Sequence, residues 1–250
     1  MNRRLLEVCV EDPRGIAAAV AGGADRIELC AALDVGGLTP PASLVRAAAL
    51  APVPVHLLAR PRAGGFVYDA AERALVADDI RTAAEAGLAG VVIGASTADG
   101  ALDAATLAAW IALARDLGAA RGRPLSLTLH RAFDLTPDLP AALEIAVALG
   151  FDRILTSGGM PRAADALAML ARLVERAGDE IIVLAGSGVS PATLPAILTS
   201  GVREVHASCR RATAEQNPAL VRFGFGASTA KITDVRVVAD LAAMLSDERT

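Results

Sequence analysis

A chain of 250 residues with 24 basic and 28 acidic side chains, net charge −4, lacks the positive excess of a nucleic-acid-binding protein, and its arginines are scattered with no basic stripe, so nucleic acid is not an expected partner. Hydrophobic residues supply 54% of the chain and aromatic residues only 3%, which describes a core of Ala, Leu, Val and Ile, the stock of parallel strands and the helices that cover them. The basic pair Arg3-Arg4 is followed by apolar residues, but Glu7 ends that run far short of a secretory core, and no apolar stretch reaches the length of a membrane span. With three cysteines, an odd number that fits free thiols in a reducing compartment, the expectation is a cytoplasmic protein with no membrane partner.

In chain order, apolar runs alternate with helical periodicity. Leu5 to Cys9 reads as a strand and Gly15–Ala21 as a helix; a strand opening at Gly23 is followed by helix Ala42–Leu50, and Val55 to Ala59 by helix Ala71–Ala86. A strand opening at Gly87 precedes helix Ala104–Ala120, Leu125 to Leu129 precedes Pro140–Leu149, and a strand opening at Gly150 precedes Ala163–Ala177. Ile181 to Ala185, helix Pro191–Thr199, a strand opening at Gly201 and helix Asp234–Leu245 complete the series. Ser190 before Pro191 and Thr136 before Pro137 read as helix starts.

Four of the strands open on one repeated pattern: Gly23-Ala-Asp-Arg-Ile-Glu-Leu, Gly87-Leu-Ala-Gly-Val-Val-Ile, Gly150-Phe-Asp-Arg-Ile-Leu-Thr and Gly201-Val-Arg-Glu-Val-His-Ala. Each begins with the glycine expected just past a helix end and runs into β-branched residues. Eight strands alternating with helices is the count of a single-domain (β/α)8 TIM barrel spanning residues 1–250; a doubly wound sheet would need a reversal of strand order. Ala31–Pro41, Pro61–Asp69, Thr97–Asp103 and Arg210–Thr233 read as irregular pieces, and long loops after strands are where such barrels carry binding residues.

Every histidine and cysteine falls at or near a strand end: Cys9, Cys30, His56, His130, His206 and Cys209. Side chains alternate across a strand. Ser126, Thr128 and His130 therefore share a face opposite three leucines, and the same test groups Glu7 with Cys9, then Arg26, Glu28 and Cys30, then His56, Leu58 and Arg60, then Glu204, His206 and Ser208. Buried carboxylates need partners, and Arg60 or a protonated histidine is the expected one for Glu7 and Glu28.

Three readings of this inward face stand side by side. The cysteines can be small hydrophobes and the histidines satisfied core groups. Alternatively it is an enzyme site with Glu7 or Glu28 as base, and His56, His130 and His206 as acid or electrophilic groups. Its anion grip would then be Arg60, Arg131 and Ser208, the glycine-rich Gly186-Ser-Gly188 loop, and Ser157-Gly158 after the sixth strand. Finally, Cys9 and Cys30, on adjacent strands at matching heights, can reach one Cu(I) or Zn ion, although no CxxC or HExxH spacing accompanies them.

Leu6-Glu-Val-Cys, Ala24-Asp-Arg-Ile-Glu-Leu-Cys, Gly36-Gly-Leu-Thr-Pro, Val55-His-Leu-Leu-Ala-Arg-Pro-Arg, His130-Arg-Ala-Phe-Asp, Leu155-Thr-Ser-Gly and Glu204-Val-His-Ala-Ser together resemble the CutC copper-homeostasis family, from the first strand to the last. The resemblance implies a cytoplasmic TIM barrel, a homo-oligomer (dimer or tetramer), and Cu(I) bound through Cys9 and Cys30. The residues themselves point equally to acid-base chemistry on a small anionic, phosphate- or carboxylate-bearing metabolite.

Overall fold

Short runs of leucine and β-branched residues, four to six long, form strands whose two faces are both covered, as parallel strands require. The computed structural model describes residues 4–214, 217–225 and 229–246. Arg3 of the basic pair and parts of the Arg210–Thr233 segment therefore lie outside the described residues. Strands β1 (Leu5–Val10), β2 (Arg26–Leu29), β3 (Val55–Leu58), β4 (Gly90–Ile93), β5 (Ser126–Leu129), β6 (Arg153–Thr156), β7 (Ile182–Gly186) and β8 (Glu204–Ala207) pair in sequence order, all parallel, and β8 closes back on β1. This closure rules out the doubly wound alternative.

Helices α1 (Pro13–Ala21), α2 (Ala42–Ala48), α3 (Ala70–Glu85), α4 (Ala104–Ala120), α5 (Leu139–Leu149), α6 (Leu167–Ala177) and α7 (Leu194–Leu198) surround the sheet. Aspartates start four of them: Asp12, Asp69, Asp103 and Asp138 each accept an amide of the first turn, and Asp69 with Glu72 forms a reciprocal capping box. Thr136 is thus not the start signal of α5, because Asp138 accepts from Ala141 N and the helix begins one residue later. The helix expected over Ala163–Ala177 splits into a 3-10 turn, Ala163–Asp165, and α6. Ser190 shapes a turn with Thr193 before α7, which is shorter than expected.

The segment read as irregular contains a hairpin, β9 (Arg210–Ala214) and β10 (Thr229–Thr233), with α8 (Pro218–Arg222) between its strands; α9 (Val235–Ser246) then packs on α1 and β1 to complete the ring. The hairpin escaped notice because its strands alternate over an exposed surface, with no apolar face to mark them. No helix among the described residues is long and apolar enough to cross a membrane.

The alternation of side chains divides the apolar core in two. Leu6, Val8, Ile27, Leu29, Leu57, Val91, Ile93, Leu127, Leu129, Ile154 and Val205 face the helices, each fully buried aliphatic side chain contributing about 1.5–3 kcal/mol. Inside the barrel Cys9, Cys30, Leu58 and Val92 form a second, small cluster, and beside it and Leu155 much of the interior is polar.

Candidate active site

The polar interior is a continuous chain of ion pairs. Near its base Arg153 Nη1 donates to Ser126 Oγ at 2.6 Å and Arg153 Nε to Glu204 Oε2 at 3.0 Å; Arg26 Nη2 reaches the same Glu204 oxygen at 2.6 Å. The other edge of Arg26 donates to Glu7 Oε2, and Glu7 Oε1 lies 2.8 Å from His206 Nδ1, which is 3.3 Å from Glu28 Oε2. Register produces this order, since β1 lies between β2 and β8 with Arg26 and His206 on either side of Glu7.

The chain sets charge states. Burial pushes Glu7 up, but Arg26 and the bond from His206 outweigh it and hold Glu7 well below the usual carboxylate range. Burial disfavours charge on His206, yet Cys9, Glu28 and Glu7 around it raise it well above its ordinary value, so it stays protonated. For Glu28 burial dominates; with His206 opposing and Glu7 adding to it, the carboxyl is raised to about 7. Two carboxylates on one face are therefore driven apart, one locked as the anion and one poised to exchange a proton near neutrality.

Above this chain the carboxyl ends of the strands open into a cavity of about 550 Å³ lined by Glu28, His206, His130, Cys9, Cys30, Arg60, Phe66, Arg131, Gly188, Ser208 and Arg210, among others. Burial, with Arg60 nearby, lowers His130 to about 3, so its imidazole is neutral. Its Nδ1 accepts from Ala132 N at 3.1 Å, which places the ring proton on Nε2; that N–H is buried and has no partner among the described residues. Phe66 packs against the ring at 4.6 Å between centroids, tilted by 43°, and Gly94 leaves it room, since a Cβ there would come within 2.3 Å of His130 Cε1.

Several expected residues take other roles. Arg60 is not the partner of the glutamates: it donates to the carbonyls of Val35 and Gly37 at 2.8 Å and of Gly64 at 2.9 Å, pinning two loops, while Arg26 takes the place expected of it. Arg60 Nε is left buried and unpaired at the cavity. The alternative partner, a protonated histidine, is present as His206. His56 sits deeper, against Gly90, outside the cavity lining; burial is the main reason it falls to about 3. Gly186 is within β7 and packs against Leu155 and His206, whereas Gly188 lines the cavity.

The Ser157 and Gly158 amides are not free to hold a ligand. Asp134 accepts from Ser157 N, Ser157 Oγ, Thr156 Oγ1 and Gly159 N, and pairs with Arg131 Nε at 2.8 Å, while Thr156 Oγ1 accepts from Gly158 N. The protein's own carboxylate thus fills that nest of donors. Cys9 faces Glu28 in the register, so Cys30 stands two residues farther along, not level with Cys9. Cys30 Sγ lies 3.5 Å from Glu28 Oε1, and burial together with Glu28 raises its thiol well above the ordinary value.

Arg153, which alternation did not single out, and Arg26 and Glu204, which it put on the inward face without a role, carry a further signal in the sequence. The triplet Asp-Arg-Ile occurs at Asp25 and again at Asp152; both aspartates accept from the amide of a neighbouring strand, Leu6 N at 2.9 Å and Leu127 N at 2.7 Å, and both arginines converge on Glu204.

A closed eight-stranded parallel barrel with its polar pocket at the carboxyl mouth places the chain among (β/α)8-barrel proteins. Within that class it belongs to the CutC family, whose model matches residues 4–211. It is 50% identical over 246 residues to a family protein CutC of Sinorhizobium medicae, covering 98% of this chain and 97% of the relative, and 51% identical over 208 residues to one of Caulobacter vibrioides, covering 83% and 82%. The solved structure of the 'Putative Copper Homeostasis Protein CutC' from Streptococcus agalactiae superposes with TM-score 0.75 at 29% identity, over 82% of this chain and 98% of that one. A thiamine phosphate pyrophosphorylase from Pyrococcus furiosus shares the fold alone, at TM-score 0.59 and 14% identity, covering 100% of this chain and 98% of that one.

Proposed function

We propose that the chain is an enzyme that moves a proton at a carbon beside a carbonyl in a small anionic metabolite. The observation that carries this reading is the presence, at one cavity, of Glu28, whose buried Oε2 has no hydrogen bond and only the ion pair with His206, and a neutral His130 whose buried Nε2–H has no partner among the described residues. Glu28 as carboxylate takes the proton; His130 donates to the oxygen on which negative charge develops, a role that a neutral imidazole performs without giving up its proton. Protonated His206, held by Glu7 and Glu28, balances the charge of the carboxylate. Arg60, bonded to carbonyls and to no carboxylate among the described residues, leaves a positive charge at the cavity that favours an anionic substrate. A Schiff-base route has no lysine at the cavity: Lys231, the single lysine, lies on exposed β10 beside Asp34 and outside the cavity lining.

The test is a panel of phosphorylated and carboxylated carbonyl metabolites incubated with the protein in deuterium oxide and followed by NMR. Carbon-bound deuterium should appear in at least one compound, and Glu28→Gln should slow it by about 100-fold or more. No incorporation anywhere in the panel, or full activity in Glu28→Gln, would refute the reading.

A second reading is Cu(I) held by Cys9 and Cys30, supported by their shared cluster at the cavity and by the copper-homeostasis name of the Streptococcus agalactiae relative. The donor type fits Cu(I), but burial and Glu28 oppose loss of the Cys30 proton. The ligand atoms of Glu7, Glu28 and His206 lie within 4.8 Å of one another, but a cation there has to displace the proton that His206 shares with Glu7. A Cu(I) competition titration repeated on Cys9→Ser/Cys30→Ser decides the matter: unchanged affinity removes the thiols as ligands.

A further inference from the structure

The acid-base groups leave the far part of the cavity wall unexplained. β7 and β8 are neighbours with Gly186 opposite His206. Gly188 and Ser208 follow the carboxyl ends of these two neighbouring strands, and Ser187 and Gly188, both at positive φ, turn the chain there. Both line the cavity, as do Val189 and Arg210.

Their donors are unused. Among the described residues the amides of Gly188, Val189 and Ser208 have no hydrogen-bond acceptor, nor does the Ser208 hydroxyl. Arg210 engages Glu11 and Asp34 through Nη1 at 3.3 and 3.2 Å, while its buried Nε is unpaired. The stem of Arg162 lies against Gly188, within 3.2 Å of where a Cβ would be; the Arg162 guanidinium has no ion pair or hydrogen bond among the described residues. Three amides, a hydroxyl and the Arg210 Nε–H are thus left without acceptors at one end of the cavity, with the unpaired Arg162 guanidinium beside Gly188.

We infer that Gly188, Val189, Ser208 and Arg210, with Arg162 at the rim, form a seat for the phosphate of a phosphomonoester substrate whose reacting carbon lies a few bonds away beside Glu28 and His130. This rests on the cavity being a substrate site. A carboxylate is the poorer match, since three amides, a hydroxyl and two guanidinium groups offer more donors than two oxygens arrange around themselves, whereas a phosphate presents three oxygens and nearly two charges.

The experiment is a calorimetric titration of the full chain with inorganic phosphate, and separately with acetate, for the unaltered protein, Arg162→Gln and Ser208→Ala. Arg162 is exposed and Ser208 small, so both variants should fold; thermal melting checks this. Saturable phosphate binding, at least fivefold weaker in either variant and at least tenfold tighter than acetate, is expected. Absence of phosphate binding, an affinity unchanged in both variants, or acetate binding as tight as phosphate overturns the seat. Glu28→Gln should keep its phosphate affinity, so silent proton exchange with intact phosphate binding would refute the catalytic reading and leave the seat standing.

Discussion

Arg26→Met tests the ion-pair chain on which the site depends. The arginine side chain is 4% exposed, and its two partners, Glu7 and Glu204, are 0% and 11% exposed. Methionine fills much of the same volume without charge, so the variant isolates the loss of the cation from the loss of packing. Glu7 keeps only His206, and Glu204 only Arg153. Breaking a buried pair while leaving its partner ionised costs about 3–5 kcal/mol. For a chain of this size each kcal/mol moves Tm by about 2–4 °C, so the variant should melt roughly 6–20 °C lower, with a matching fall in the urea midpoint.

The pH dependence sharpens this test. Glu7 in the folded protein lies below its ordinary 4.5, so its contribution is present above that pH and is lost as acid titrates the folded carboxylate. The gap between the unaltered protein and Arg26→Met should therefore be widest near pH 7 and narrow below about 4.5. Adding Glu7→Gln to Arg26→Met should recover part of the loss, since the orphaned charge goes with it. A loss under about 1 kcal/mol at pH 7, or one unchanged at pH 4, would show that Arg26 is not what keeps Glu7 ionised.

Asp134→Ala removes an acceptor shared by Thr156, Ser157, Gly159 and Arg131; about 3 kcal/mol of stability should be lost in urea unfolding, because several donors lose their acceptor together, and a loss below about 1 kcal/mol would mean that water replaces the carboxylate. Glu28 is raised from 4.5 to about 7, so its uncharged form favours the folded state; that contribution is complete below about 4.5 and is lost as pH rises through about 7. Glu28→Gln should flatten the fall in Tm across that window, and a profile parallel to that of the unaltered protein would exclude Glu28 as the titrating group.

The barrel was legible because its signals are local. Glycine past a helix end followed by β-branched residues marks an αβ junction from a few residues, and Gly23, Gly87, Gly150 and Gly201 all adopt the positive φ that this position requires. Helix α4 falls where its periodicity placed it, at Ala104–Ala120. The exposed hairpin β9–β10 did not show itself, since neither strand buries a face.

For the site, the period-two rule by itself determined that Glu7, Glu28, His130 and His206 face one interior, because alternation is a property of the backbone and needs no neighbours. Which of them pair depends on which strands adjoin and at what register, and those are decided by closure of the whole barrel. Closure put Arg26 beside Glu7 and turned Arg60 toward loop carbonyls. It set Cys30 two residues away from the level of Cys9, and gave Asp134 the donors after β6 that a ligand could have used. The sequence determined a polar interior with carboxylates, imidazoles and guanidinium groups; only the tertiary structure decided which charges cancel inside the protein and which are left facing the cavity. The reason is physical: charge pairing depends on distances of a few Å between residues far apart in the chain, and no local pattern encodes such distances.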